Sequence, residues 1–129
     1  MKPVPRPPDV MLIEPQFVMR RTMVAVAREL QLVEFHETTS ASKALALMSA
    51  RPFRGLVLHI DDDAAAIGLL TRLREGSLAS PANLPVIGLT YLATATWDGQ
   101  LEAYQPMRLL RKPFRITELL ESVSRMGLR

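Results

Sequence analysis

Apolar residues in this chain fall into short runs separated by longer stretches in which they recur every three or four positions. Val10-Met11-Leu12-Ile13, Leu32-Val33-Glu34-Phe35, Leu56 to Ile60, Val86 to Leu89 and Met107 to Leu110 are the strand-length runs. A run with little polar alternation is what a strand buried on both faces requires. Between the runs, Met19, Met23, Val26 and Leu30 keep helical spacing within Phe17 to Leu30. Ser40 stands as a capping residue ahead of Ala44, Leu45, Leu47 and Met48. Ile67, Leu70 and Leu73 line Ala64 to Arg74, and Ile116, Leu119, Leu120 and Val123 mark a last helix. Ala93 to Tyr104 holds Thr94, Thr96 and Gly99, poor helix formers, and predicts only a short or distorted helix.

Five strands alternating with five helical segments predict an α/β fold with a doubly wound, five-stranded parallel sheet. Parallel neighbours need a crossover, and crossovers are right-handed, so helices cover both faces. Met1 to Asp9, with prolines at 3, 5, 7 and 8, reads as an arm, residues 10–126 as one domain and 127–129 as a tail. In such sheets the working surface is the crevice at the carboxyl ends of the strands. Here that edge gathers Glu14, Ile60 with Asp61, Thr90 and Lys112.

Composition narrows the function without naming it. The chain has 129 residues, 48% hydrophobic and 22% charged, which suits one globular domain with a real core. There is no cysteine, so neither a disulfide framework nor a thiolate site, and a reducing, cytoplasmic setting is the expectation. The apolar runs are too short to span a bilayer, and no membrane partner is expected. A net charge of +3 is scattered singly or in pairs, with no basic stripe interleaved with aromatics, so nucleic acid is not expected as a partner.

Several motifs stand in order along the crevice. Glu14-Pro15 precedes Met19-Arg20-Arg21; Leu84-Pro85-Val86-Ile87 leads to Thr90; and Lys112-Pro113-Phe114 follows the fifth run. From Val10 to about Met126 this pattern resembles the receiver domain of two-component response regulators. The resemblance implies a flavodoxin-like (βα)5 three-layer sandwich with strand order 2-1-3-4-5. It also implies a chemistry in which an aspartate on the third strand takes a phosphoryl group from a histidine kinase, assisted by magnesium. A hydroxyl, a lysine and the proline after it, commonly cis in the family, correspond to Thr90, Lys112 and Pro113.

Carried across residue by residue, the resemblance is incomplete. Glu14 keeps a carboxylate at the first acidic position, whereas Pro15 offers no ligand at the second, so magnesium binding is weakened. Eight positions before Gly68, which matches the glycine opening the family's third helix, stands Ile60 in place of the acceptor. The aromatic usual three residues before the lysine is Leu109. Asp61 is the candidate substitute acceptor and, with Glu14, a weak candidate metal ligand. Strand parity turns Asp61 away from the face that Ile60 uses, unless a bulge swings it back. Asp61, Asp62 and Asp63 also have a plain structural explanation, as carboxylates at a helix amino terminus.

Lys112 then has the alternative role of pairing with Glu14 or Asp61, and Thr90 of bonding nearby backbone. Ile60 is expected to face the ammonium. His36 and His59 lack partners at metal-ligand spacing, and His59, pointing opposite to Ile60, reads as a partly buried structural histidine. No phosphate-cradling glycine loop follows the first strand, and no nucleophile, base and oxyanion hole assemble, so no enzyme is expected. Tyr91, Leu92, Trp97, Tyr104 and Leu109 are interface candidates, for a protein partner or a homodimer through the face of the fourth and fifth helical segments, or else pack onto strands four and five.

The expectation is a stand-alone, atypical receiver-like domain acting by protein contact. Its expected partner is a histidine kinase, a phosphotransferase or another response regulator, and the output is expected to lie with that partner. The alternatives are a genuine phosphoacceptor using Asp61 with magnesium, and a small α/β ligand-binding or enzymatic domain using the crevice around Lys112.

Overall fold

The computed structural model describes residues 6–60, 64–91 and 102–127. Five strands, β1 (Asp9–Ile13), β2 (Glu34–Thr38), β3 (Gly55–His59), β4 (Val86–Thr90) and β5 (Arg108–Arg111), form one sheet in the order β2-β1-β3-β4-β5. All four pairings are parallel. Among the described residues the helices are α1 (Phe17–Glu29), α2 (Ala41–Ala50), α3 (Ala64–Arg74) and α4 (Ile116–Ser124), with a 3-10 turn at Glu102–Tyr104. The expected doubly wound α/β architecture and strand order are observed.

Alternation along the strands builds two cores, one on each side of the sheet. Met11, Ile13, Leu56, Leu58, Ile60 and Val86 face α2 and α3, meeting Ala44, Met48, Leu69, Leu70 and Leu73. Val10, Leu12, Val57, Ile87, Leu89 and Leu110 face α1 and α4, meeting Met23, Val24, Ala27, Leu119 and Val123. β1, β3 and β4 are apolar on both sides because both sides are covered.

Several boundaries and faces differ from the sequence expectation. β2 lies at Glu34–Thr38, displaced toward the carboxyl end from the predicted Leu32 to Phe35. Its half-polar pattern fits an edge strand, and Glu34 begins the ladder by donating its amide to the Pro8 carbonyl. α1 buries Met23, Val24 and Ala27, while Leu30 is exposed. In α2, Leu47 is exposed, and Ser40 caps the helix by accepting from the Lys43 amide at 3.3 Å. The small residues Ala27, Ala41, Ala44 and Ala66 are buried and complete the inner faces of their helices. Most of the predicted fourth helical segment lies outside the described residues.

Arg74, at the end of α3, ties down the chain on both sides of β4. Its guanidinium donates to the carbonyls of Ala82 and Leu84, each at 2.8 Å, and of Tyr104 and Gln105, at 2.6 and 3.2 Å. Burial lowers its pKa from the usual arginine value. At the opposite edge of the sheet from the crevice, Asp9 accepts from Arg51 at 3.0 Å and Arg6 at 3.3 Å, and its Oδ1 lies 2.8 Å from His36 Nε2.

Candidate functional site

Three residues stand one position past their strands and still belong to the ladder through their amides. Glu14 N donates to Thr38 O at 3.1 Å, Ile60 N to Leu89 O at 3.0 Å and Lys112 N to Thr90 O at 2.7 Å. This continuation carries all three residues to the carboxyl edge of the sheet, with Glu14 and Lys112 on one face and Ile60 on the other. The Lys112-Pro113 peptide bond is cis.

The side chains of Lys112 and Glu14 are both 0% exposed and form an ion pair through Oε1. A buried ammonium and a buried carboxylate each carry a large desolvation cost, which their mutual attraction offsets only when further hydrogen bonds complete the set. Part of that set is present, since Glu14 Oε1 has no hydrogen bond besides its ion pair with Lys112. Gln16 N donates to Glu14 Oε2 at 2.9 Å, and Arg20 Nη1 donates to the Glu14 carbonyl at 3.0 Å. The Lys112 Nζ lies 3.0 Å from His59 Nδ1. An ammonium only donates, so Nδ1 is the acceptor and the imidazole proton sits on Nε2. The ring of Tyr91 lies over the ammonium, its centroid 4.9 Å from Nζ.

The β3 side chain that meets the ammonium is therefore His59, and the expectation that Ile60 faces it is corrected. Ile60 is 2% exposed and belongs to the core over α2 and α3. A Cβ on Gly88, the β4 residue beside it, would lie 2.5 Å from Ile60 Cδ1 and 2.6 Å from Leu109 Cδ2. Ile60 and Leu109 thus share the space that a glycine leaves. Thr90 is buried at the end of β4, where its carbonyl receives the Lys112 amide.

Asp61, Leu92 and Trp97 lie outside the described residues. Of the remaining interface candidates, Tyr104 and Leu109 are partly buried and pack on the first core, Tyr104 with its hydroxyl 3.2 Å from Thr71 Oγ1. Tyr91 is exposed. The contacts that sequence reasoning missed are His59 to Lys112 and Gln16 to Tyr91, whose hydroxyl accepts from Gln16 Nε2. No local pattern announces a bond spanning 53 or 75 positions.

The described residues do not fit the magnesium ion that the resemblance implies. Both Glu14 oxygens are engaged, one by Lys112 and one by the Gln16 amide, and Pro15 supplies no ligand. Among the described residues no group of three or more His, Cys, Asp or Glu side chains could hold a metal. No described helix is long and apolar enough to cross a membrane.

No protein-family model matches the chain, and neither does any curated protein. Solved structures do. The receiver domain of the Francisella response regulator 1452 is 22% identical, with a TM-score of 0.77 over 92% of this chain and 95% of that one. The Vibrio cholerae chemotaxis protein CheY4 is 17% identical, with a TM-score of 0.79 over 92% and 98%. The orphan response regulator HP1043 of H. pylori is 20% identical, with a TM-score of 0.78 over 97% and 100%. The fold is that of a receiver domain. At these identities the receiver likeness is one of architecture, and what the crevice does rests on this chain's own residues.

Proposed function

We propose that this chain is an atypical receiver-like signalling domain that acts by protein contact, without phosphorylation of an aspartate. The observation that carries the reading is the state of the crevice. Counted back from Gly68 the acceptor position is Ile60, which packs into the core, the β3 side chain that meets the ammonium is His59, neither is an aspartate, and Lys112 is already neutralised by Glu14. An aliphatic side chain cannot accept a phosphoryl group. A lysine whose charge is compensated inside the protein gains little from an incoming phosphoryl oxygen. The partner is a histidine kinase, a phosphotransferase or another response regulator, as the receiver fold suggests. Phe17 and Val18, exposed beside an apolar cavity of about 340 Å³ lined by Met19, Met23, Phe114 and Ile116, offer apolar surface for such a contact.

The test is beryllofluoride, which mimics an aspartyl phosphate, added with magnesium and followed by amide NMR spectra. The expected result is no specific shift in the crevice amides. Saturable shifts centred on Thr90 and Lys112, lost in Asp61→Asn, would instead establish a phosphoacceptor that uses Asp61.

A further inference from the structure

Tyr91 is the first residue past β4 and is 48% exposed, yet its inner side is tied down on three flanks. Its ring covers the Lys112 ammonium, meets the His59 ring edge-on with centroids 6.2 Å apart at 73°, and its hydroxyl accepts from Gln16 Nε2. Gln16 is itself anchored, its amide held by the carboxylate that pairs with Lys112. The side chain therefore runs from the end of β4 across the mouth of the crevice to the turn between β1 and α1. What it covers is a cation with no exposure of its own.

We propose that Tyr91 is a strap across the crevice, fastened by the Gln16 amide, and that an oxyanion from outside reaches Lys112 only when Tyr91 swings out. Among the described residues the fastening is the Gln16 hydrogen bond together with the ring contacts to Lys112 and His59. Opening thus requires no break in the sheet or in either core. A side-chain opening of this kind belongs to the low-energy end of local fluctuations, well below global unfolding. The strap does not depend on which partner the molecule contacts or on whether any aspartate is phosphorylated.

Limited acetylation with acetic anhydride, read by peptide mass spectrometry, tests it on the whole chain. The sequence holds three lysines, and Lys43, exposed on α2, serves as the internal reference. In the unsubstituted protein Lys112 should react at least about 100-fold more slowly than Lys43, and Tyr91→Ala should raise its rate about tenfold or more. Tyr91→Phe and Gln16→Ala remove the same hydrogen bond and should raise the rate by similar, smaller factors. In all three variants the Lys112 rate should be independent of urea well below the unfolding transition. The proposal is overturned if Lys112 reacts as fast as Lys43 in the unsubstituted protein, if the three substitutions leave its rate unchanged, or if its reaction follows the global unfolding curve throughout.

Discussion

Lys112 is buried against Glu14, and a pair of this kind is worth little in itself but a great deal to break. Lys112→Met should leave the Glu14 carboxylate buried without its counter-charge and destabilise the fold by about 3–5 kcal/mol. Adding Glu14→Leu should recover most of that loss, because an apolar pair of similar volume carries no desolvation cost. Urea unfolding of the two single variants and the double variant measures this coupling. Asp9 gives the pH dependence at this scale. Burial works to raise its carboxyl pKa but is outweighed by the His36 hydrogen bond and the charges of Arg6, His36 and Arg51, so the folded value lies below the ordinary one. Its contribution is therefore fully present above the unfolded value of about 4 and is lost as pH falls through the folded value. The stability difference between the protein and Asp9→Asn should be flat near neutrality and shrink below about pH 4, as thermal melts across that range would show. Glu14, Thr90 and Lys112 were legible in the sequence because each ends a strand-length run at one edge of a parallel sheet. His59, Gln16 and Tyr91 were not, because their roles come from neighbours brought together only by folding.

At the scale of elements, β4 is the strand whose composition is most constrained. It is buried along its whole length, and Gly88 makes room for Ile60 from β3 and Leu109 from β5. Gly88→Ala should force both side chains to move and cost about 1–3 kcal/mol, measurable by denaturant unfolding. Ile60 fills a space next to a glycine and packs into the core over α2 and α3. Element identity was readable where apolar runs were continuous, as in β1, β3 and β4, and where spacing was clean, as in α3. At β2 the strand was expected but its bounds were displaced, because the polar positions Glu34, His36 and Glu37 of this edge strand follow the more apolar Leu32-Val33. The expected inner faces of α1 and α2 included Leu30 and Leu47, which are exposed, and omitted the buried alanines Ala27 and Ala41, while Met23, Ala44 and Met48 are buried as expected.

For the molecule as a whole, the sheet order and the two cores set a crevice at the carboxyl ends of the strands, and this chain fills it with its own groups. Glu14 and His59 hold the ammonium, Tyr91 covers it, and the third strand sends an isoleucine into the core. Such a scaffold can present helix and loop surfaces to a partner whether or not it carries switch chemistry. The most direct test is incubation of the full chain with magnesium and acetyl phosphate, or with a phosphorylated donor kinase, followed by intact mass and acid-labile phosphate analysis. No phosphoryl adduct is expected. Stoichiometric acid-labile phosphate on this chain would contradict it.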